Sequence, residues 1–453
     1  MIPIYNSAIM NVKLKNKGEI MNYTEAREYI KNASKKGSIL GIDNIKVLMD
    51  KLNGVQNKQK IVHIAGTNGK GSVSAYLASI LMEAGMKVGR YNSPAVFDPL
   101  EVFRINDSNI TKEKYAQLVS EVATAVEKML QEGYESPTVF EIETAMAYLY
   151  FYKEKCDISI IETGMGGRDD ATNVVDKPEL EIITAVSMDH MAFLGDTLEE
   201  IAACKAGIIM DDTKVICAEN PIEVKEVIKN EAKKRNASVI ETGKYQAEYG
   251  VEKTVIKYTS FRGIEYNSLN TSMLGTFQPK NVITAIEAAE VLIKLPIGEL
   301  KKVVKKGIEK TRWQGRFEKI NTNPLVYIDG GHNPGAALDI RKSIEIYFTN
   351  KKIVYIIGVL SDKDYDKVLE LTGNLADYII TVTSPDNPRA LDGKELLGHV
   401  LKFNENAEYA HTLEEAISKA FTIAGEDGVI FIYGSLSYLG KIKKLIGCES
   451  RKK

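Results

Sequence analysis

A short glycine-rich segment carries the clearest chemical signal in the sequence. It reads GTNGKGS over Gly66–Ser72, between the apolar run Ile61–Ala65 and a stretch, Ser72–Ala84, whose apolar residues recur at helical spacing. Glycines let backbone N–H groups converge on an anion, a helix N-terminus adds its dipole, and Lys70 adds a positive charge. The segment therefore predicts a site for nucleotide phosphates. Its expected contacts come from Asn68, Gly69, Lys70, Gly71 and Ser72.

This loop differs from the most common phosphate-loop pattern. Gly71 separates Lys70 from Ser72, and the first glycine lies closer to the lysine than in G-x-x-x-x-G-K-[ST]. A glycine-rich turn between a strand and a helix that binds no ligand is the alternative interpretation. Kinases, ATPases and ligases all use such loops, so the loop by itself does not choose among these reactions.

Apolar runs that alternate with helical segments must position the loop, and they indicate a parallel α/β architecture. Between residues 248 and 270 the apolar residues alternate with polar ones, which favours antiparallel strands. Besides Ile61–Ala65, the predicted strands of this half are Lys87–Tyr91, Ile158–Glu162, Ile182–Val186 and Val215–Ala218.

A second alternation of strands and helices begins after Trp313. At about 140 residues it is long enough for a core of its own. We predict an N-terminal P-loop-type domain with a mostly parallel sheet over residues 21–310 and a smaller Rossmann-like α/β domain over residues 311–453. Residues 1–20 are interpreted as an N-terminal extension. The predicted elements of the second domain are the strands Leu325–Asp329, Ile353–Gly358, Tyr378–Val382 and Val429–Tyr433 and the helices Ala336–Tyr347, Lys394–Leu401 and Leu413–Ala424.

The composition excludes several classes of protein. The 453 residues are 44% hydrophobic and 26% charged, as in ordinary soluble proteins, and their net charge of −2 offers no field for nucleic acid or anionic membranes. No apolar run approaches the roughly 18 residues of a membrane span, and Met1–Met10 lacks the pattern of a secretory signal. Four scattered cysteines indicate neither a disulfide framework nor a zinc site. We expect a cytoplasmic monomer.

Further motifs accompany the loop, and they extend from about residue 21 to the C-terminus. They include Ser93-Pro94, IETGMGGRDDATNV (Ile161–Val174), SMDHMAFLGDTLEEIAACKAGII (Ser187–Ile209), LGTFQPKN (Leu274–Asn281), WQGRFE (Trp313–Glu318), DGGHNP (Asp329–Pro334), GVLSDKD (Gly358–Asp364) and YGSLSYLG (Tyr433–Gly440). In this order they resemble the folylpolyglutamate synthase and dihydrofolate synthase family of the Mur ligase superfamily.

The resemblance implies an ATP-dependent amide ligase. In that family ATP phosphorylates the terminal carboxylate of a folate's glutamyl tail, and L-glutamate displaces the phosphate to form a γ-glutamyl amide. Cations must neutralise the carboxylate and the triphosphate, and water must be kept from the acyl phosphate. The implied cofactors are ATP and Mg²⁺. The implied substrates are tetrahydrofolate or a related folate, L-glutamate and, in a bifunctional enzyme, dihydropteroate.

The same resemblance implies catalytic roles for Lys70, Glu162, His190 and Lys205. Ser93, Glu162 and His190 match Mg²⁺ ligands, and Lys205 matches a carbamylated lysine that helps to hold a second metal. Carbamylation needs a neutral amine, so burial or nearby cations must lower the pKa of Lys205. The alternatives are a solvated strand end for Glu162, a turn for Ser93, a packing histidine for His190 and a surface lysine for Lys205.

Residues of both predicted domains match family positions that contact ATP. They are Asn281, Arg316 and Asp329, and His332 follows within the same glycine-rich turn as Asp329. ATP would therefore lie in the cleft between the domains, and closure would assemble the site. His63, His399 and His411 match nothing and are interpreted as packing or surface residues.

Some positions differ from the family pattern. Ala95-Val96 stands where the family commonly has His-Leu, and Glu101-Val102 stands where a basic residue follows the glutamate. Asp169 replaces a usual Leu and Gln314 a usual Pro. These changes leave the expected phosphate and metal ligands intact, but they weaken the prediction of dihydrofolate synthesis from dihydropteroate, so folylpolyglutamate synthesis is the leading hypothesis.

Two alternatives remain. One is another Mur-type enzyme that adds an amino acid to a different carboxylate, which the GTNGKGS and DGGHNP motifs disfavour. The other is a catalytically inactive nucleotide-binding protein, which the presence of Glu162, His190 and Lys205 disfavours.

Overall fold

The structure, a computed structural model, describes residues 20–33 and 41–449. The predicted extension over residues 1–20 lies outside the described residues except for Ile20. Two helices open the described part, α1 (Tyr23–Ala33) and α2 (Asp43–Lys51), and both pack against later helices of the N-terminal half.

An eight-stranded sheet forms the centre of the N-terminal half. Its strands are β1 (Ile61–Ala65), β2 (Val88–Tyr91), β3 (Phe103–Ile105), β4 (Ser108–Asn109), β5 (Ile158–Glu162), β6 (Leu180–Ile183), β7 (Lys214–Cys217) and β8 (Ser238–Glu241). They lie in the order β4-β3-β2-β5-β1-β6-β7-β8, and all pairs are parallel except those that β3 makes with β2 and β4. The central strands β1 and β5 are buried throughout, because helices cover both faces of the sheet.

The covering helices are amphipathic or wholly apolar segments between the strands. They are α3 (Lys70–Glu83), α4 (Lys112–Gln131), α5 (Val139–Lys153), α6 (Met191–Leu194), α7 (Leu198–Ala206), α8 (Ile222–Lys234), α9 (Gln278–Leu292) and α10 (Ile297–Lys310). α3 packs against α9 and α10, so the helix that follows the glycine-rich loop is buried on several sides. α5 and α7 begin with capping boxes, in which Thr138 pairs with Glu141 and Thr197 with Glu200.

A three-stranded antiparallel sheet precedes α9 in the chain. It consists of β9 (Tyr245–Tyr249), β10 (Thr254–Thr259) and β11 (Glu265–Thr271). Alternate residues of β10 are buried, so the alternation that predicted antiparallel strands is confirmed. This small sheet packs its apolar face against α9 and α10.

The C-terminal half is built on a six-stranded sheet of its own. Its strands are β12 (Glu318–Thr322), β13 (Leu325–Ile328), β14 (Ile353–Ile357), β15 (Tyr378–Thr381), β16 (Ala407–Tyr409) and β17 (Val429–Tyr433), in the order β12-β13-β17-β14-β15-β16. Only the β12–β13 pair is antiparallel. Its helices are α11 (Pro334–Tyr347), α12 (Tyr365–Thr372), α13 (Gly393–Val400), α14 (Leu413–Ala424) and α15 (Leu439–Glu449).

The α/β fold class predicted from the sequence is confirmed, with a large, mostly parallel sheet followed by a second, smaller α/β domain. The predicted boundary between residues 310 and 311 falls in the segment that joins α10 to β12. Within the described ranges, the structure contains no helix whose length and apolar character would carry it across a membrane.

Candidate functional site

The glycine-rich loop follows the carboxyl end of β1, and two other segments approach its backbone closely. Gly66 and Gly69 have φ angles of 150° and 90°, which favour glycine. A Cβ on Gly66 would lie 1.8 Å from Thr184 Oγ1, and one on Gly69 would lie 2.5 Å from Asn281 Oδ1. The two glycines therefore let β6 and α9 close on the loop, and Asn281 is placed directly against it.

The loop delivers the N-terminus of α3 to the site. Gly69 precedes the helix and has no side chain to cap it, so the first backbone N–H groups of α3 lack a side-chain acceptor. Such an N-terminus attracts phosphate oxygens. The additional glycine, Gly71, lies in the first turn of α3, where a Cβ would come within 2.8 Å of Trp313 Nε1. Gly71 thus allows the indole ring to pack on the loop.

Two lysines and one carboxylate surround the start of the loop. Lys70 Nζ donates to the carbonyls of Gly66 at 2.9 Å and Thr67 at 3.3 Å, and it lies 4.0 Å from Glu162 Oε1. Lys205 Nζ donates to the same Gly66 carbonyl at 3.0 Å. Burial, with the charge of Lys70 as a second cause, lowers the pKa of Lys205 to about 7. The structure therefore brings together three of the four predicted catalytic residues.

Glu162 offers oxygen ligands for a hard cation. It ends β5 beside β1 and accepts a hydrogen bond from Asn92 Nδ2 at 2.5 Å. Burial raises the pKa of Glu162 although Lys70 opposes the shift, so the carboxylate is short of positive charge. Ser93 follows Asn92 at the end of β2 and shares the same cavity wall as Glu162.

The oxygen atoms of Glu162 and Ser93 could supply part of the coordination shell of Mg²⁺. Among the described residues no group of three His, Cys, Asp or Glu side chains is spaced to hold a metal ion. Mg²⁺ commonly uses one or two protein oxygens and completes its shell with phosphate oxygens and water. Glu162 and Ser93 match that requirement when a nucleotide is bound.

His190 belongs to a second group of charged residues. It precedes α6 with a φ of 52°, and its Nε2 lies 3.2 Å from Lys363 Nζ. Burial lowers the pKa of His190 to about 4, so the neutral ring accepts from Lys363. Lys363 also donates to Asp189 Oδ1 at 2.7 Å. Burial alone would raise the pKa of Asp189, but His332, Lys363 and His190 hold it well below its usual range.

The C-terminal half contributes the turn that follows β13. Asp329 accepts from the backbone N–H groups of Gly331 at 2.6 Å and Phe317 at 2.8 Å. Burial raises the pKa of Asp329, and the positive charge of Arg316 opposes the shift. His332 Nδ1 lies 2.8 Å from the Gly330 carbonyl, and its Nε2 lies 3.6 Å from Asp189 Oδ2.

Asn68 and Asn333 connect the two halves at the loop. Each amide donates to the other at 3.1 Å, and Asn333 also donates to Asp189 Oδ2 at 3.1 Å. Asn333 caps α11 as well, since its Oδ1 accepts from the Ala336 N–H. The phosphate loop and the Asp329–Pro334 turn are therefore in direct contact.

A cavity of about 410 Å³ is lined by residues of both halves. It extends from the start of α3 to the strands β2 and β3 and is closed by the segment between α10 and β12. The lining residues that matter for the chemistry are Gly71, Arg90, Ser93, Glu162, Trp313 and Arg316. An acceptor bound there would reach the phosphate loop directly.

Two family models match the chain. The Mur ligase middle domain matches residues 64–289, and the Mur ligase glutamate ligase domain matches residues 315–436. Among curated relatives, the dihydrofolate synthase/folylpolyglutamate synthase of Bacillus subtilis is 35% identical over 427 residues, which cover 93% of this chain and 98% of the relative. The chain belongs to this family.

Other members support the same assignment. The folylpolyglutamate synthase of Lacticaseibacillus casei is 30% identical and covers 82% of this chain, with 87% of the relative matched. Among solved structures, Mycobacterium tuberculosis folylpolyglutamate synthase complexed with ADP and AMPPCP matches with a TM-score of 0.87 and 27% identity over 94% of this chain and 99% of that one. The family resemblance inferred from the motifs is confirmed.

A second solved structure contains two bound ligands. Escherichia coli FolC in complex with DHPP and ADP matches with a TM-score of 0.83 and 26% identity, over 96% of this chain and 99% of that chain. That structure holds DHPP together with ADP.

Sequence reasoning gave no role to several residues that the structure places at this family's site. Asp189, Asn333 and Lys363 lie inside recognised motifs, but a motif does not show which residue it contacts across the domains. Trp313 is the first residue of the WQGRFE motif, and Arg90 had no signal apart from its position shortly before Ser93-Pro94.

The other histidines have ordinary roles. His63 is buried in β1, 2.8 Å from Thr172 Oγ1, and burial lowers its pKa to about 3. His399 Nδ1 lies 2.7 Å from Asp366 at the surface.

Proposed function

We propose that the chain is an ATP-dependent ligase that adds L-glutamate to the γ-carboxylate of a tetrahydrofolate mono- or polyglutamate tail. One observation carries the proposal: Gly71 of the phosphate loop, Glu162, which lies 4.0 Å from Lys70, and Arg316 of the other half all line one cavity. The names and bound nucleotides of the relatives support ATP as the phosphoryl donor.

ATP would bind in the cleft between the two halves. Its phosphates would meet Asn68, Gly69, Lys70, Gly71 and Ser72, with Asn281 beside them. The C-terminal contacts would come from Arg316, Asp329 and His332. To reach the nucleotide, Lys70 would exchange its bonds to the Gly66 and Thr67 carbonyls for phosphate oxygens, which are stronger acceptors for an ammonium group.

The first step joins the acceptor to phosphate. An oxygen of the acceptor γ-carboxylate attacks the γ-phosphorus of ATP, the bond to the bridging oxygen breaks, and ADP leaves with the electron pair. Lys70 and Arg316 would neutralise charge on the transferred group, because preorganised cations stabilise charge that develops in the transition state.

The second step forms the amide. The amino nitrogen of L-glutamate attacks the acyl carbon, loses a proton, and inorganic phosphate leaves with the electron pair. The acyl phosphate would hydrolyse in open solvent, so the two halves must exclude water. The direct Asn68–Asn333 contact supports such closure.

Mg²⁺ would be held by Ser93, Glu162 and His190, with the carbamate of Lys205 assisting a second ion, and it would neutralise the phosphate oxygens. The chemistry of Ser93 and Glu162 supports this assignment. His190 would have to exchange its contact with Lys363 for the metal, and Lys205 supports the carbamate through its buried, readily neutralised amine.

Dihydrofolate synthesis from dihydropteroate is a second candidate activity. The curated relative from Bacillus subtilis bears both names, and FolC of Escherichia coli is described with DHPP bound. The substitutions Ala95 and Val102, each adjacent in the chain to residues that line the cavity, are the reason to test the two acceptors separately.

The deciding experiment supplies purified protein with Mg²⁺-ATP, L-glutamate and either tetrahydrofolate or dihydropteroate. We expect one ADP and one phosphate for each γ-glutamyl amide formed. If the reacting carboxylate carries a heavy-oxygen label, one labelled oxygen should appear in the released phosphate, because the acyl phosphate keeps that oxygen when the amine attacks.

Two results would contradict the proposal. ATP hydrolysis at a rate independent of acceptor and L-glutamate would indicate a nucleotide-binding protein without ligase activity. Turnover of another carboxylic acid, with both folates inert, would indicate a Mur-type ligase of different specificity.

A further inference from the structure

We propose that Arg90 and Arg104 form a carboxylate-binding subsite that holds the α-carboxylate of the acceptor's terminal glutamate while the γ-carboxylate of the same residue reacts. The inference rests on the proposed function and adds a specificity determinant to it. The acceptor class would be a folate that already carries at least one glutamate.

Arg90 is a buried cation whose guanidinium lacks a hydrogen-bond acceptor among the described residues. Its residue is 5% exposed, it lines the cavity, and its Nε is buried with no hydrogen-bond acceptor. Within the described parts of the chain, its side chain donates no hydrogen bond to another residue. A guanidinium has five N–H donors and is costly to bury unpaired. A bound anion would remove that cost.

Arg104 adds a second cation at the same place. Arg90 in β2 and Arg104 in β3 are direct partners in the antiparallel register, so their side chains lie on one face of the sheet. Their guanidinium carbons lie 4.8 Å and 5.7 Å from the centre of the Trp313 ring. Like charges at directly opposed positions repel, and the ring offsets only part of the repulsion. An anion between them would be attracted by both.

Several other charged side chains that line the cavity already have hydrogen-bond partners. Lys310 pairs with Glu83 at 2.5 Å, and Glu101 accepts from the backbone N–H groups of Val96 and Phe97. Arg312 donates to two backbone carbonyls. Asp107 and Glu162 attract Arg90 electrostatically, but neither is hydrogen-bonded to it in the structure. Arg104 Nε donates to the uncharged Asn109 Oδ1 at 2.8 Å, so among the described residues neither arginine is hydrogen-bonded to a carboxylate.

The position of the pair selects which carboxylate it would hold. The same cavity is bordered by Gly71 and Glu162, where the reacting carboxylate must meet the γ-phosphate. A terminal glutamyl residue carries two carboxylates on one short chain. With the γ-carboxylate at the phosphate loop, its α-carboxylate would lie farther along the wall, towards β2 and β3.

Val102 provides a further argument. The motif resemblance leads us to expect a basic residue there, but Val102 is 3% exposed and packs in the apolar core. Arg90, on the adjacent edge of β2, supplies a cation to the cavity instead. Dihydropteroate has a single carboxylate, so it would gain nothing from this subsite.

The test compares two acceptors that differ only in the α-carboxylate. One is tetrahydropteroylglutamate, and the other is the analogue in which γ-aminobutyrate replaces the glutamate. For the wild-type chain we expect a lower KM for the glutamate form. Arg90→Met should raise the KM for the glutamate form at least about tenfold, because a charge-assisted hydrogen bond is lost. The KM values for the analogue, ATP and L-glutamate should stay unchanged.

Two more variants and two further measurements complete the design. Arg104→Gln should shift the same KM in the same direction. Arg235→Gln, an exposed arginine paired with Asp211 and Glu231, is the matched control and should change nothing. Calorimetry without L-glutamate should show the same loss of affinity for the glutamate-tailed acceptor in Arg90→Met. The melting temperature of Arg90→Met should equal or exceed that of the wild type, because an unpaired buried charge has been removed.

The outcomes separate this inference from the proposed function. A wild-type chain that elongates neither acceptor contradicts the proposed function. Three results would overturn the subsite alone. The first is a wild-type chain that uses both acceptors equally well. The others are an Arg90→Met variant that keeps the preference for the glutamate form and one whose KM rises for L-glutamate instead. A lowered melting temperature with unchanged kinetics would show that Arg90 is structural, and it would also overturn the subsite.

Discussion

Lys205 illustrates how a single residue's environment sets its chemistry. It is 4% exposed, and it shares the Gly66 carbonyl with Lys70, a second ammonium group. Its pKa of about 7 means that a large fraction of the amine is neutral near pH 7, whereas an exposed lysine is almost entirely charged there. Only the neutral amine can add CO₂, so this lysine is suited to become a carbamate.

We predict that Lys205→Ala lowers turnover by about 100-fold or more, through loss of the carboxylate that would help to hold metal. Lys229→Ala, on the exposed face of α8, is the control and should retain wild-type turnover. Wild-type protein stripped of CO₂ should lose activity and regain it with bicarbonate. The recovery should be poor below a pH of about 7, where Lys205 is protonated, and strong above it. Full activity in Lys205→Ala, or indifference to bicarbonate, would contradict the carbamate.

At the scale of single residues, the sequence predicted chemistry that depends on neighbours in the chain, but it did not predict contacts between distant parts of the fold. Gly66, Gly69 and Lys70 could be assigned to a phosphate loop because a strand, a glycine-rich turn and a helix adjoin in the chain. Lys363 could not be assigned, since its partners Asp189 and His190 lie 174 and 173 residues away. The motif that contains Lys363 does not show which distant residues its side chain contacts.

At the scale of elements, strands buried on both faces were predicted most accurately. The strands β1 and β5 have the bounds expected from the sequence, because their apolar runs are short and clearly delimited. The helix α14 also has the expected bounds. The edge strands were missed. β8, β12 and β16 contain exposed or half-buried residues, so they show no continuous apolar run. The β3–β4 hairpin was missed because β4 has only two residues.

The packing of the α10–β12 segment on α3 depends on Gly71. A Cβ there would lie 2.8 Å from Trp313 Nε1 and 3.1 Å from two carbons of the ring. We predict that Gly71→Ala displaces the indole and raises the KM for the acceptor several-fold. ATP affinity should stay nearly unchanged, because alanine favours the helix and α3 therefore keeps its N-terminus. Trp313 is the only tryptophan, so a red shift of its fluorescence would report the displacement.

Gly298→Ala is the matched control for this variant. Gly298 also lies in the first turn of a helix, α10, and a Cβ there would meet nothing within 4 Å. It should change neither the emission nor the kinetics. An unchanged emission maximum in Gly71→Ala would contradict the packing role given to Gly71.

At the scale of the whole molecule, the carboxyl ends of two parallel sheets face each other. The loop after β1 and the turn after β13 meet through Asn68 and Asn333, as expected for ligands that bind at the carboxyl ends of strands. The sequence predicted a cleft between the halves, because residues matching ATP contacts fall on both sides of the boundary. It could not predict the ion pair that spans the cleft.

That ion pair joins Asp189 of the N-terminal half to Lys363 of the C-terminal half, with side chains 9% and 6% exposed. We predict that Lys363→Met destabilises the closed arrangement by roughly 3 kcal/mol, because it leaves a buried carboxylate without its cation. The radius of gyration measured by X-ray scattering should increase, and turnover should fall. In the double variant with Asp189→Asn, both the compaction and part of the stability should return, with a coupling energy of about 1–3 kcal/mol. The Asp189→Asn single variant completes the cycle. Equal radii of gyration in the wild type, the two single variants and the double variant, or additive losses of stability, would show that the pair does not hold the halves together.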